Sequence, residues 1–161
     1  MIFREMHPSE AGFLKEMLYE SLFVSKGKKP YSRSVLALPE LSRYYEAWGS
    51  IPHDLAMVAE AEGQLVGAVW GRAHQPPHEG YGFVGADVPE IGVAVFPAFR
   101  NQGIGTKLIN LIANRYLSQG LQSISLSVDR NNPAKSLYER LGFLVVKENE
   151  QDFILQKMLD A

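Results

Sequence analysis

A strand, a glycine-containing turn and a long amphipathic helix follow one another in the second half of the chain. The strand pattern is EIGVAVF (Glu90–Phe96), and the run AFRNQGIGTKLINLIANR (98–115) comes shortly after it. A second strand pattern, Gln122–Val128, alternates polar and apolar residues. Two neighbouring strands joined through a helix pair in parallel. This stretch therefore predicts a parallel pair of strands inside a sheet, with the helix packed on one face.

The rest of the chain predicts antiparallel strands and shorter helices around this unit. Leu55–Ala59 and Leu65–Trp70 flank a turn that contains Gly63, which predicts a hairpin. The segments 143–148 and Asp152–Leu159 predict a second hairpin. The expected fold is therefore a mixed α/β sheet with helices on its faces. The other predicted elements are a strand at Ile2–Met6, a helix over the apolar positions from Phe13 to Leu22, helices at Pro39–Gly49 and between Pro133 and Gly142, and loops at Val24–Ser34 and His74–Pro89.

The composition fits one globular domain and excludes several kinds of function. The chain has 161 residues, 46% of them hydrophobic and 21% charged, so residues 1–161 are expected to form a single domain. A net charge of −2 argues against general nucleic-acid binding, which needs a basic surface. The absence of cysteine excludes disulfides, a thiol nucleophile and a Cys-ligated zinc. Because His53, His74 and His78 lack metal-ligand spacing, no metal site is expected.

No targeting or membrane segment is expected. The first residues, MIFREMHPSE, carry a charge too early for a secretory signal. No apolar run approaches the roughly 20 residues that a membrane span needs. The sequence therefore predicts a cytoplasmic protein without a membrane partner, either a monomer or a homodimer.

The start of the long helix has glycines where a capping side chain usually stands. Gly103 and Gly105 precede and open the amphipathic segment, and neither carries a side chain that could fill the space there. The first N–H groups of a helix lack partners and lie at the positive end of its dipole, so an anion can bind them. Arg100 adds a guanidinium that suits phosphate oxygens. The alternative is that the glycines only allow a tight turn.

Two segments match a pair of motifs in the order in which one enzyme family carries them. RNQGIG (100–105) matches Arg/Gln-x-x-Gly-x-Gly/Ala, and NNPAKSLYERLGF (131–143) matches Asn-x-x-Ala-x-x-Leu-Tyr-x-x-x-Gly-Phe. The chain thus resembles the GCN5-related N-acetyltransferases (the GNAT superfamily), and the order of its predicted elements agrees. The resemblance implies a mostly antiparallel sheet of about seven strands, with a splayed parallel pair in the middle and about four helices on its faces.

The resemblance also implies a binding site for acetyl-CoA or coenzyme A, without a metal. Val93 and Val95 on the splayed strand would offer backbone groups to the acetyl and pantetheine parts, although their side chains also suit the core. Asn131 would hydrogen-bond the pantetheine arm or cap a helix, and Ala134 belongs to the same motif. The residues expected around the pyrophosphate are Arg100, Gln102, Gly103, Ile104, Gly105 and Thr106.

By the same resemblance, Tyr138 would protonate the leaving thiolate after an amine attacks the thioester. The alternative is a tyrosine that only packs at helical spacing. Direct transfer needs a base for the attacking amine. Glu90 is the first candidate and Asp129 the second, although each could instead be a surface charge.

The acceptor is expected to be a primary amine of a small molecule, peptide or protein. Two alternatives stay open, a non-catalytic acyl-CoA-binding or regulatory module and a transferase of longer acyl groups. The acceptor surface should come from the first two helices and the loops Val24–Pro39 and His74–Pro89. Glu79, Asp87 and Glu90 could attract a cationic amine. That surface carries the aromatic residues Tyr19, Phe23, Tyr31, Tyr44, Tyr45, Trp48, Tyr81 and Phe83, and the basic residues Lys26, Lys28 and Lys29.

Overall fold

Seven strands form a single sheet in the computed structural model, which describes residues 1–160. Across the sheet the order is β1-β2-β3-β4-β5-β7-β6. Every neighbouring pair is antiparallel except β4 and β5, so the predicted mixed, mostly antiparallel sheet is confirmed. The strands are β1 Ile2–Glu5, β2 Leu55–Ala61, β3 Gln64–Arg72, β4 Glu90–Val95, β5 Ser123–Asp129, β6 Leu144–Glu148 and β7 Asp152–Met158.

Four α-helices pack on the two faces of this sheet. They are α1 Phe13–Ser21, α2 Pro39–Ser42, α3 Ile104–Ser118 and α4 Ala134–Arg140. The apolar side of α3 covers one face, where Leu108, Ile112 and Tyr116 are fully buried. Lys107, Asn110 and Asn114 on its other side are exposed, as its periodicity predicts. The opposite face of the sheet is covered by α1 through Leu14, Met17 and Leu18.

The helix predicted at Pro39–Gly49 is shorter than expected, because α2 ends at Ser42. The following residues form successive turns, and Ala47 and Gly49 have positive φ angles of 49° and 95°. A buried guanidinium explains the change. Arg72 on β3 donates to the carbonyls of Arg43 and Glu46 at 2.9 and 2.8 Å. These carbonyls bond a side chain from the sheet instead of continuing a helical ladder.

The parallel pair in the middle of the sheet is joined at one point only. Glu90 of β4 pairs with Ser125 of β5, and the N–H of Ser125 donates to the carbonyl of Pro89 at 3.0 Å. Beyond this point the two strands diverge. The divergence opens a cleft that starts at the amino end of β4 and is bounded by both strands.

Candidate active site

The cleft between β4 and β5 has a volume of about 720 Å³. Four of the candidate catalytic and cofactor-binding residues line it, namely Glu90, Val93, Asp129 and Tyr138. The predicted anion-binding turn around Gly103 lies outside its wall. The site therefore has two parts, a central cleft and a helix start beside it.

The edge of β4 that faces the cleft has backbone groups free to bind a ligand. Phe96 donates its N–H to the carbonyl of Val66 on β3, at 2.9 Å. Backbone groups alternate in direction along a strand, so those of Val93 and Val95 point away from β3. The carbonyl of Val95 already accepts a hydrogen bond from Nε of Arg100 at 2.9 Å. The N–H and C=O of Val93 face the gap in the sheet.

The start of α3 has no side-chain cap. Gly103 occupies the cap position with φ of 79°, a conformation that favours glycine, so the tight-turn interpretation holds for this residue. It does not hold for Gly105, which lies inside the helix with ordinary φ. A Cβ there would meet only Cγ2 of Val93, at 4.0 Å. Within residues 1–160, no acceptor bonds the N–H groups of residues 103–106.

The other residues predicted around this helix start have varied surroundings. Arg100 forms an ion pair with Glu20 at 3.3 Å besides its bond to Val95. Gln102 is exposed, Ile104 is buried in the core, and Thr106 is half-buried. Arg100 is thus held at the end of β4, in the turn that leads into α3.

The second motif places Asn131 and Asn132 in different roles. Oδ1 of Asn132 accepts the N–H of Ala134 at 2.9 Å and so caps α4. The capping role suggested for Asn131 is therefore taken by its neighbour. Asn131 is exposed, and its own N–H donates to Asp129 Oδ1 at 2.8 Å. Asn132 also lines the cleft, which the motif did not indicate.

Tyr138 projects from α4 into the wall of the cleft. Its ring packs edge-on against Phe143, with centroids 6.1 Å apart. Burial raises the pKa of its hydroxyl to about 12, so the group stays protonated at neutral pH. The ring packs against the core, as the alternative interpretation expected, while the hydroxyl bonds no other group in the described chain.

Glu90 lies at the amino end of β4 and is only 5% exposed, so the surface-charge interpretation is wrong for this residue. The hydroxyl of Tyr44 donates to Oε2 at 2.7 Å. Oε1 has no hydrogen-bond partner among residues 1–160. Burial raises the pKa of this carboxyl to about 7, and the bond from Tyr44 acts in the opposite direction. A carboxyl with such a pKa can take up or release a proton near neutral pH.

His74 lies on the other side of Glu90 and was not predicted as part of a site. Its Nε2 is 4.0 Å from Oε1 of Glu90, and neither atom has a hydrogen-bond partner in the described chain. Burial, together with the charge of Arg72, lowers the pKa of His74 to about 4. The imidazole is therefore neutral at neutral pH, and the two residues do not form an ion pair.

The long loop 74–89 closes over Glu90. A Cβ at Gly80 would overlap Oε1 of Glu90 and the hydroxyl of Tyr44. The carbonyl of Gly82 accepts a hydrogen bond from Oγ of Ser125 at 2.7 Å. Because of its glycines, this loop can lie directly against the carboxylate, and this contact accounts for the burial of Glu90.

Tyr44 is held in place by the turns after α2. Arg72 is 2% exposed, and its guanidinium pairs with Asp54 at 2.8 Å while it also bonds the carbonyls on either side of Tyr44. The N–H of Tyr81 donates to the Tyr44 hydroxyl. The phenol that binds Glu90 is thus fixed from two directions.

The acceptor surface differs in part from the prediction. Glu79 and Asp87 do not line the cleft, and neither do the three lysines of the loop after α1. Phe23, Tyr31, Tyr44 and Tyr81 do line it, whereas Tyr19, Tyr45, Trp48 and Phe83 do not. Carboxylates that the sequence did not single out line it instead, on Glu40, Glu150 and Asp152.

The described residues also bear on the predictions about metals and membranes. Across residues 1–160, no group of three or more His, Cys, Asp or Glu side chains is arranged to hold a metal ion. No helix in that part of the chain is both long and apolar enough to cross a membrane.

Comparison with known sequences gives a family and curated relatives. The profile of the acetyltransferase (GNAT) family matches residues 16–143. The mycothiol acetyltransferase of Pseudarthrobacter chlorophenolicus is 36% identical over 104 residues, which are 63% of this chain and 30% of that protein. That of Paenarthrobacter aurescens is 33% identical over 64% of this chain and 31% of its own length. The chain spans somewhat under a third of these relatives.

Comparison with solved structures gives the same architecture over the whole chain. The yncA protein of Salmonella typhimurium, solved with acetyl-CoA, has a TM-score of 0.71 at 19% identity, over 100% of this chain and 95% of that one. The paia N-acetyltransferase of Thermoplasma acidophilum, in complex with coenzyme A, has a TM-score of 0.64 at 22% identity, over 98% of both chains. At these identities the likeness is one of fold.

Proposed function

The chain belongs to the acetyltransferase (GNAT) family, and we propose that it transfers an acetyl group from acetyl-CoA directly to a primary amine. One observation carries the proposal. A buried carboxyl whose pKa lies near 7 and a tyrosine hydroxyl without a partner line the same cleft, where two parallel strands separate. A base and an acid in one cleft are what transfer from a thioester to an amine requires.

The helix start and the open strand edge would hold the donor. The N–H groups of residues 103–106 would receive the pyrophosphate, and Arg100 and Gln102 lie in the same turn. The backbone groups of Val93 and the N–H of Val95 would pair with the pantetheine arm in strand fashion. Asn131 and Ala134 face the arm in this proposal. Acetyl-CoA supplies the acetyl thioester, and it requires no metal.

Glu90 and Tyr138 would then carry out the proton transfers. An amine enters as an ammonium, which cannot attack a carbonyl carbon, and Glu90 takes up one proton from it. The amine nitrogen forms a bond to the acetyl carbon and releases its second proton to solvent as the carbon–sulfur bond breaks. Tyr138 donates its proton to the departing thiolate and regains one from solvent. The products are the N-acetyl amine and the free thiol, without a covalent enzyme intermediate.

Thiol release with a panel of primary amines tests this function. We expect release from acetyl-CoA that depends on both enzyme and amine, and a rise in melting temperature when acetyl-CoA alone is added. Stabilisation by acetyl-CoA without release for any amine would instead indicate a non-catalytic binding module. Faster release from longer acyl-CoAs would indicate a different donor. Absence of stabilisation by any acyl-CoA would contradict the proposal.

We expect Gly105→Ala to weaken acetyl-CoA binding while leaving the fold at least as stable. The added methyl group fits the protein, because its nearest neighbour would be 4.0 Å away. Alanine also favours a helix by about 0.8–1 kcal/mol over glycine. The methyl group would, however, occupy space beside the free N–H groups. Loss of one charge-assisted hydrogen bond, about 1.5–3 kcal/mol, raises Kd roughly 10- to 100-fold. Calorimetric titration and thermal unfolding measure the two effects, and an unchanged Kd would contradict the binding role.

In the pH profile of kcat/KM, activity should rise as Glu90 loses its proton. We expect Tyr44→Phe to move this rising limb to higher pH. The Tyr44 hydroxyl donates to Glu90, which stabilises the ionised carboxylate. Loss of a hydrogen bond of about 0.5–1.5 kcal/mol corresponds to an upward shift of roughly 0.4–1 pH unit. The measurement is the pH profile of thiol release, with Tyr45→Phe as the matched control, because Tyr45 bonds the carbonyl of Leu36 instead. A limb that does not move would show that Glu90 does not set it.

A further inference from the structure

The cleft wall carries negative charge without any positive charge. Five carboxylate side chains line it, and no Lys, Arg or His side chain does so. The whole chain, by contrast, has 16 basic and 18 acidic residues. The carboxylates are Glu40, Glu90, Asp129, Glu150 and Asp152.

Two of these carboxylates face each other across neighbouring strands. Asp129 on β5 and Asp152 on β7 are directly paired in the antiparallel register, so their side chains leave the same face of the sheet. Like charges at such positions destabilise a sheet. Their hydrogen-bond donors in the described chain are uncharged, the N–H of Asn131 for Asp129 and the amide of Asn149 for Asp152. Within residues 1–160 neither aspartate forms an ion pair, since the neighbouring Arg130 and Lys135 pair with Glu148 and Glu139 instead.

A third carboxylate points to a ligand independently. Glu90 is 5% exposed, lines the same cleft and has an Oε1 atom without a hydrogen-bond partner in residues 1–160. Burial is the main cause of the raised pKa of Glu90, and the negative charge of Asp152 raises that pKa further. Asp152 and Glu90 are therefore within electrostatic reach of each other. The cleft also has apolar walls, including Leu22, Leu38 and the ring of Tyr81, which suit an uncharged methylene chain.

We propose that the acceptor is an aliphatic amine with two cationic groups, one reacting at Glu90 and the other held between Asp129 and Asp152. This inference rests on the proposed acetyl transfer and names its substrate class as small diamines. The second ammonium would neutralise the repulsion between the two aspartates, while the methylene chain lies against the apolar wall. Only the amine at Glu90 loses a proton and gains the acetyl group, so the product keeps one positive charge.

Matched amine pairs test the proposal. Each α,ω-diamine of three to six carbons is compared with the n-alkylamine of equal length, for example 1,4-diaminobutane with n-butylamine. A symmetric diamine gains a factor of two because it has two reactive ends. We expect the best diamine to exceed its partner by about tenfold or more in kcat/KM, since charge-assisted hydrogen bonds hold the second group. The advantage should shrink at high ionic strength, because both aspartates are only half-buried.

The double variant Asp129→Asn/Asp152→Asn should reduce this ratio to about two, the counting factor that remains when the distal contact is lost. Glu62→Gln removes one negative charge from an exposed turn that does not line the cleft and should retain the wild-type ratio. The double variant should unfold at the same or a higher temperature without ligand, because it removes a repulsive pair. In thermal-shift measurements, 1,4-diaminobutane should stabilise the wild type more than n-butylamine does, and this difference should vanish in the double variant.

Two outcomes would overturn the inference. In the first, the wild type acetylates each diamine and its matched alkylamine with equal kcat/KM once the factor of two is removed. In the second, the double variant keeps the wild-type ratio of diamine to alkylamine kcat/KM. Failure of the proposed function looks different, because then no amine in either series is acetylated. In that case the thermal shift still decides the distal site, since it measures binding of 1,4-diaminobutane without turnover.

Discussion

We expect Glu90→Gln to lower kcat/KM for amine acetylation by about 100- to 10,000-fold above neutral pH, the range of general-base catalysis. Glutamine keeps the shape of the side chain and can still bond the Tyr44 hydroxyl, but it cannot accept a proton from an ammonium. The measurement is thiol release at saturating acetyl-CoA with varied amine. Glu62→Gln, an exposed change of the same chemistry, is the matched control and should retain wild-type activity.

The pH profile makes the same prediction more specific. In the wild type, kcat/KM should rise through about pH 7 as Glu90 loses its proton, because burial raises its pKa to that value. The variant should lack this limb. A variant that keeps both the rate and the limb would show that another group, with Asp129 as the next candidate, takes the proton.

The pH dependence of the free energy of unfolding should also reflect the titration of Glu90, in the absence of any substrate. The pKa of Glu90 in the folded protein is about 7 against an ordinary 4.5, so the folded state holds the proton more tightly than the unfolded chain. Its contribution to stability is full below pH 4.5 and is lost as pH rises to about 7. His74 acts with the opposite sign between about pH 4 and its ordinary 6.5. The difference in stability between wild type and Glu90→Gln therefore reports the carboxyl together with its effect on the neighbouring His74, 4.0 Å away.

The sequence predicted the central features of the fold because local patterns specify them. The strand pattern at Glu90–Phe96, the helix after Gly103 and the alternation at Gln122–Val128 dictate a parallel pair joined through a helix, and the structure has one. The glycines at the helix start also predict that another group comes close to the backbone there. Such signals lie within a few residues of one another, so they do not depend on the rest of the fold.

The surroundings of Glu90 could not be predicted in this way. Arg72 and His74 lie at the end of β3 and Tyr44 lies in the turns after α2, and only strand pairing and tertiary packing bring them to the amino end of β4. The helix predicted at Pro39–Gly49 illustrates the same limit. Its sequence pattern is helical, but the guanidinium of Arg72 on β3 bonds the carbonyls of Arg43 and Glu46, so the helix ends early. The glycines of the loop 74–89 were the one local signal that this loop packs closely against another group.

The acidic wall of the cleft was predicted only in part, through the candidate bases Glu90 and Asp129, for a related reason. Asp129 and Asp152 are far apart in sequence, and their pairing depends on the register between β5 and β7. Glu79 and Asp87 looked equivalent in the sequence but lie outside the cleft wall. Charge in the sequence predicts a cationic acceptor, which stays a prediction, whereas strand register decides which carboxylates lie in the cleft.

We expect Tyr138→Phe to lower kcat by about 100-fold or more, the lower end of general-acid catalysis, and to leave the Kd for acetyl-CoA unchanged. Phenylalanine keeps the ring and its edge-on contact with Phe143. The lost hydroxyl has no hydrogen-bond partner in the described chain, so the free energy of unfolding should barely change. Thiol release gives kcat, calorimetric titration gives Kd, and thermal unfolding tests the fold.

The pH dependence separates this variant from Glu90→Gln. The pKa of Tyr138 is about 12, so the phenol carries its proton at every pH of an ordinary assay. Its removal should lower kcat by the same factor across that range and leave the limb near pH 7 in place. If Tyr138 serves only to pack against Phe143, the phenylalanine variant will turn over at the wild-type rate. A loss of packing alone would not lower kcat while it leaves both the Kd for acetyl-CoA and the limb near pH 7 unchanged. That combination of results would therefore assign the protonation of the departing thiolate to this hydroxyl.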